Sequence, residues 1–544
     1  MSYDLTLQNI IKEYFSDMLR IKPELGIEMD INVGSGLSNM SIETLDRERG
    51  LIELTLDKLK DIDFEELSIE GKAYYLSFYD YLKLRKFFLD EWQIWRMYPE
   101  ALENIVKIIG IIISNPKYPL DEKIKMIGEY INDLPSYLEM SKTRLKRPVR
   151  LFVDMGILMI TYLKQILAYI KDEAGKDPKS TKAFSKLSQV FERSEEALDK
   201  YMDWLVNLRG REIFEVSMGF EAFEKLIKIR RLGNDLWNVH NFIKEDINEL
   251  HDEIIRRLRN NNLSSINDYL ESIREMHPTE PYKIVSEYEN SFIEIRRRLL
   301  ESDLIDIPDI DIDIQILPVK SSYMTPLFSY IVSLEGSKLH IEVMLRIRDD
   351  EDLKWHNKYE TTLRMVRDIL PGKALLEFYL KTSPNLIRKI LDIPEYKDGW
   401  GAYAQDILID LGLIEGEDYK IMNLIEKYKM AILAKMDIEV NTGRLTHVEA
   451  AKGLKQLGIF TDDEITINIM TILASPSTLL SQYLGYRFFK NLEKKLKVIS
   501  EERFKYKWLT EKITRYSVTP LNYLEALILK DYSHDMLVDY LEKN

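Results

Sequence analysis

Cysteine is absent from all 544 residues. That removes disulfides, thiolate metal ligands and cysteine nucleophiles together. Histidine is scarce. The seven are His240, His251, His277, His340, His356, His447 and His534, and no two stand four apart, the spacing that sets two imidazoles on one helix face for a metal. H-E-x-x-H, G-x-S-x-G and G-x-x-x-x-G-K-[ST] do not occur, so neither a helix-borne zinc motif, a nucleophile elbow nor a P-loop is signalled. The members of a Ser/His/Asp triad can lie far apart in a chain, and no local pattern points to one. There is no repeat of fixed period and no Gly/Ser-rich or Pro-rich linker, which argues against a solenoid and against domains on flexible tethers.

Positive charge is also in deficit. Lys and Arg number 76 against 91 Asp and Glu, a net charge of −15, which argues against nonspecific binding to nucleic acid. The basic runs MSKTRLKRPVR (140–150) and EIRRRLL (294–300) read as solvated helix faces. The most apolar long segment, VDMGILMITYLKQILAYI (153–170), carries Asp154, Lys164 and Gln165 and reads as a buried helix, not a membrane span. The start, MSYDLTLQNIIKEYF, shows no basic region followed by an apolar core. A cytoplasmic location without membrane contact is expected, and zero Cys with abundant Ile, Lys and Glu fits a thermophile.

What is present is mostly helix. Over 1–304 apolar residues recur at intervals of three and four, as in LTLQNIIKEYFSDML (5–19). Ser68, followed by Glu70 and Lys72, reads as an N-cap. From 305 to 350 the period changes. LIDIPDIDIDIQIL (304–317) alternates Ile with Asp, and LHIEVMLRI (339–347) places Leu339, Ile341, Val343, Leu345 and Ile347 on one face, both signs of strands. Asp309, Asp311 and Asp313 suit a solvated edge strand more than a hard-cation site. Helical periodicity returns over 351–544. The expected fold is mainly α: one large helical body around a cleft, with a small β ribbon set into it.

Two segments stand apart. RDILPGKALLEF (367–378) interrupts a helix with Pro371-Gly372, a costly pair in an apolar helix. DGWGAYAQDILIDLGL (398–413) sets an acid before Trp400 and Tyr403 on a helical pattern. Together they resemble the family of domain-of-unknown-function 885, which looks like zinc metallopeptidases of the thermolysin-like (gluzincin) type. Its signature is HExxPGHxLQ followed by EGWALYAE. RIKPELGIEMD (20–30), LPSYLEMSKTRLKRPVRLFVDMGI (134–157), ILPVKSSYMTPLFSYI (316–331), MDIEVNTGRLTHVEAAKGL (436–454), SPSTLLSQYLGYRFFKNLE (475–493) and FKYKWLTEKITRYSVTPLNYLE (504–525) also resemble family segments, in order. The resemblance thus covers nearly the full length and implies a thermolysin-like or oligopeptidase-like architecture.

The resemblance implies zinc held by the two histidines and the glutamate of the second motif, with the first motif's glutamate as general base. Here those seats have changed. Arg367 and Lys373 stand at the two histidines, Asp368 at the general base and Asp398 at the third ligand. Gln405 replaces the closing glutamate, Asn441 a histidine before T-G, and Thr510 a further histidine. Protonated Arg and Lys offer no lone pair to a metal, and a zinc site needs about three protein ligands. No metal, no cofactor and no hydrolysis are therefore expected. An ion-paired cluster of Arg367, Asp368, Lys373 and Asp398 is expected in place of the metal. In a straight helix six residues turn by about 600°, so only the Pro-Gly break could bring 367 and 373 to one side.

The reading is a catalytically inactive metallopeptidase homologue that holds a peptide or a protein partner in its cleft. Trp400, Tyr403, Tyr483 and His340 are the expected lining, and LHIEVMLRI either pairs with extended peptides or simply covers the core. Two alternatives stand beside it. One is an active hydrolase with another metal or carboxylate arrangement, using Asp368, Asp398, Glu377 or His340. The other is a structural subunit with a filled cleft.

Overall fold

The computed structural model describes residues 3–531, apart from 30–35, 116, 211, 215, 234, 261, 262, 264, 317–326, 384, 392 and 501–503. His534 and most of the 316–331 segment lie outside the described residues. Helices dominate, the longest being Arg150–Ala174, Pro178–Asn207, Leu236–Asn260, Pro281–Ser302, Glu417–Asn441 and Thr478–Ser500. Their starts are written in the sequence. Ser68 accepts from the Gly71 N–H at 3.0 Å. Asp177 accepts from Ser180 at 2.8 Å, with Pro178 at the first helical position. Thr446 and Thr461 form capping boxes with Glu449 and Glu464. Each satisfies amide donors that the helix itself leaves unpaired.

Helix Arg150–Ala174 is long and apolar enough to cross a membrane by length and composition alone. Here Val153, Gly156, Ile160, Leu163, Leu167 and Ile170 form a buried stripe at intervals of three and four. A large apolar core draws residues from Met40 to Ile528. A smaller one joins the helices Tyr3–Ile21, Ile42–Lys60 and Ile69–Phe87 to Ile387, Leu391 and Val518, so the two ends of the chain share an interior.

The sheet has three strands: β1 (Ile310–Ile316), β2 (Phe328–Glu335) and β3 (Lys338–Leu345), in the order β1-β3-β2. β1 runs parallel to β3 and β2 antiparallel to it, joined through Gly336 at φ 62°. Leu339, Ile341, Val343 and Leu345 are buried, as the alternation predicts. Two features differ from the sequence reading. β2 was not anticipated as a strand, because Phe328–Glu335 shows no clean alternation and is half-buried on both faces. The LHIEVMLRI strand is central and paired on both sides, so it has no edge to offer a peptide; β2 has one.

The tightest helix contact joins Pro394–Asp410 and Thr478–Ser500. A Cβ on Gly485 would lie 1.7 Å from the Glu395 carbonyl oxygen, and one on Gly399 would lie 2.5 Å from the Gly485 carbonyl carbon. Backbone meets backbone, and there is no flexible side chain to yield. Gly485→Ala is expected to destabilise the fold by about 1–3 kcal/mol or more. Gly453→Ala, at a mid-helix position with nothing within 4 Å, is expected to gain up to about 1 kcal/mol. Urea denaturation midpoints of the two variants check both signs.

A buried ion centre ties the first helices together. Glu48 is fully buried, with Lys22 at 2.6 Å and the Arg85 guanidinium against its other oxygen. Burial pushes the Glu48 carboxyl up, but Arg85 and Lys22 outweigh it and bring the pKa down to about 2. The folded value lies below the ordinary one, so this stabilisation is complete above about pH 4.5 and is lost as pH falls through about 2. Glu48→Gln should cost about 3 kcal/mol at neutral pH, with the gap to wild type closing as pH falls. Thermal melts across a pH series measure it.

Candidate functional site

The odd segment 367–378 is built as a widened helix end, a break and a new helix. Helix Lys358–Arg364 runs into a π-helical segment, Met365–Ile369, where the Leu370 N–H donates five residues back to Met365 O at 2.8 Å. A cis Leu370–Pro371 peptide and Gly372 follow, then helix Lys373–Lys381. Helix Pro394–Asp410 is fastened to the break by Trp400, whose Nε1–H donates to Pro371 O at 2.9 Å. The break brings Arg367 and Lys373 to the same side, opposite Asp398.

The Lys373 ammonium lies 2.5 Å from Asp398 Oδ1 and 3.1 Å from Asp368 Oδ1. Arg367 Nη2 lies 2.8 Å from Asp368 Oδ2, and Nη1 2.8 Å from Glu426 Oε2. A cation in the first turn of a helix opposes the helix dipole; two carboxylates offset it here. Burial would raise the Asp368 carboxyl, but Arg367 and Lys373 hold it well below the ordinary range. Burial would lower the Lys373 ammonium, but Asp368 and Asp398 hold it above its ordinary value. Both groups are therefore charged at neutral pH. Gly401 makes room for the cations: a Cβ there would lie 2.6 Å from Arg367 O and 3.1 Å from Lys373 Cγ.

This cluster forms one wall of a cavity of about 410 Å³, with Glu377 and Lys397; Phe328, Ser329 and Tyr330 of β2 form the other. Glu377 pairs with Lys397 and accepts from the Tyr330 hydroxyl at 3.0 Å. Burial, Glu377 and Asp368 push the Tyr330 phenol well above its ordinary value, so it stays a neutral donor. A second cavity of about 220 Å³ shares Tyr330 and Glu377 and continues along β2 to Leu334, past Ile27, Ile111, Lys117 and Lys381. The Arg346 N–H donates to Leu327 O across the β2–β3 pair at 3.0 Å. By alternation, the N–H and C=O groups of Phe328, Tyr330, Val332 and Leu334 point away from β3, along the groove. Lys381 Nζ donates to Val332 O at 2.6 Å, and no strand pairs with that edge among the described residues.

The donor set does not fit zinc. Arg367 and Lys373 are protonated and already engaged, and among the described residues no three His, Asp or Glu side chains are grouped to hold a metal. The other expected lining residues are elsewhere. Trp400, Tyr403 and Tyr483 are 1%, 0% and 0% exposed. Trp400 and Tyr403 pack with Phe489, and Tyr483 donates to Asp246 at 2.7 Å. Positions two and five beyond Asp398 fall about 200° and 140° round the helix from it, so Trp400 and Tyr403 turn from the cavity into the core. His340 lies on the face of the sheet opposite Tyr330, between Asp311 and Glu335 at 3.5 and 3.1 Å. Asn441 and Thr510 are buried, bonded to Asp437 and to the Leu304 carbonyl. Gln405 accepts from the buried Lys427 ammonium at 2.5 Å.

Glu426, Lys397 and the β2 residues were not anticipated. Lys397 adjoins Asp398 in sequence, and Glu377 follows Lys373 by one helical turn, which are local signals. Glu426 lies 59 residues from Arg367 on a helix with no local mark.

The fold is thus a large helical body in which one small mixed sheet stands beside a charged cavity. Residues 23–528 match the family of bacterial proteins of unknown function, DUF885, and the chain belongs to that family. Two solved structures are similar. One is "a putative lipoprotein of unknown function" from Shewanella oneidensis, with TM-score 0.75 and 14% identity over 96% of this chain and 99% of that one. The other, from Colwellia psychrerythraea, bears a like description, with TM-score 0.82 and 13% identity over 98% and 100%. At these identities the likeness is one of fold. No curated protein matches the chain.

Asp368→Asn should cost about 3 kcal/mol, because two cations lose their shared anion. Adding Lys373→Met should recover part of it, since the pair is in direct contact and the effects cannot add. Chemical denaturation of the single and double variants measures the coupling.

Proposed function

We propose that the chain is a metallopeptidase-like protein without zinc hydrolysis that holds an extended peptide, or an extended segment of a partner, in the groove beside β2. The observation that carries this is the Lys373 ammonium between Asp368 and Asp398. It occupies the seat that the resemblance gives to an imidazole, and it has no lone pair for a metal. A zinc-bound water reaches a pKa of about 7 from 15.7 in bulk; Asp368, held as an anion by two cations, supplies no comparable activation. The groove's outward-facing backbone and half-buried side chains support strand addition, in which main-chain bonds give affinity and neighbouring pockets give selectivity. The cytoplasm is left out of this reading, because both structural neighbours carry a lipoprotein description.

Elemental analysis of protein purified without a histidine tag tests the first half. Zinc well below one equivalent is expected; stoichiometric zinc would overturn the reading. The combined variant Arg367→His, Asp368→Glu, Lys373→His and Asp398→Glu should gain zinc affinity, measured by competition with a chromogenic chelator. No gain would count against the placement of those four seats.

A further inference from the structure

The hydrogen-bonding capacity around the first cavity is uneven. Asp368 is saturated: Oδ1 takes Lys373 and the Arg367 Nε–H, and Oδ2 takes the Nε–H and Nη2 of Arg367. Asp398 meets Lys373 most closely through Oδ1, and Glu377 receives both Lys397 and Tyr330 on Oε1. Among the described residues, no side-chain hydrogen bond reaches Asp398 Oδ2 or Glu377 Oε2, although a carboxylate oxygen can take two. Both groups line the same cavity.

The charges agree. Three cations, Arg367, Lys373 and Lys397, meet four carboxylates, Asp368, Glu377, Asp398 and Glu426. Beyond them Arg364 stands with Glu360 at 2.9 Å and Lys429 with Glu464 at 2.6 Å. Among these seven described groups one negative charge is uncompensated, and both Asp398 and Glu377 line the cavity. At its other end the groove carries Lys117 and Lys381, so its potential changes sign along β2.

From this we infer that the cavity receives a primary ammonium carried by an extended peptide, held between Asp398 Oδ2 and Glu377 Oε2. The ammonium is either the peptide's own N-terminus or a lysine side chain. The inference rests on the peptide reading and names the chemistry that reading lacks. An ammonium there adds charge-assisted bonds to oxygens that make no hydrogen bond to a described residue. A carboxylate in the same place would meet cations already spent on Asp368, Asp398, Glu377 and Glu426.

The test is calorimetric titration of the full chain with three pentapeptide amides: Ala-Val-Thr-Val-Ser with a free amine, the same peptide N-acetylated, and acetyl-Ala-Lys-Thr-Val-Ser. n-Pentylamine and n-pentanol serve as small probes. The free-amine peptide is expected to bind at least about tenfold more tightly than its acetylated form, about 1.4 kcal/mol. Asp398→Asn with Glu377→Gln should erase that difference. Tight binding of the acetylated lysine peptide would assign the ammonium to a side chain; weak binding would assign it to the N-terminus. Equal binding of the free and acetylated Val peptides, with no gain from lysine, would overturn the inference and leave the peptide groove standing. Binding of n-pentylamine but of no peptide would do the reverse. Binding of none of the five would overturn both. The comparison of caps uses wild-type protein, so it holds even if the double variant folds poorly.

Discussion

The geometry of this region depends on a single ammonium group held between two carboxylates. Lys373 opens a helix, where the backbone already presents positive potential, and it is largely out of water. It is tenable there only because Asp368 reaches it from the preceding turn and Asp398 from a neighbouring helix. The same contact links three elements: the π-helical turn, the helix after the break and helix Pro394–Asp410. Buried charge of this kind costs several kcal/mol per ion when unpaired, so the cluster is fixed by the penalty for opening it more than by the strength of any one bond.

The glycines show how space was found for it. Arg and Lys are longer than the imidazoles whose seats they take, and Gly401 supplies the missing volume where the resembled pattern has an alanine. Gly399, two residues earlier, serves a different need, the approach of the backbone of helix Thr478–Ser500. One short run of sequence therefore answers to a helix crossing on one face and to a charge cluster on the other.

Much of this was legible in the sequence. The helical periods, the Ser68 cap, the strands around 310–316 and 338–345 and the juxtaposition of residues 367, 368, 373 and 398 follow from local pattern and from the two motifs. What was not legible depended on direction and distance. Trp400 and Tyr403 neighbour Asp398 in sequence, yet helical rotation turns them inward. β2 has half-buried faces and so no strong alternation. Glu426 completes the cluster from a remote helix, and no local rule marks it. The strand with the clearest pattern, β3, is the one enclosed by its neighbours; clean alternation there marks burial of one face and not availability.

Lys381 bears on the exposed margin of the sheet. A bare sheet margin invites the same margin of another molecule, and long-lived stacks can grow from that contact. The Lys381 ammonium covers the Val332 carbonyl. It fills one acceptor of the row and puts a charge where a second copy would dock. One side chain thus both occupies the margin and charges it against a like margin.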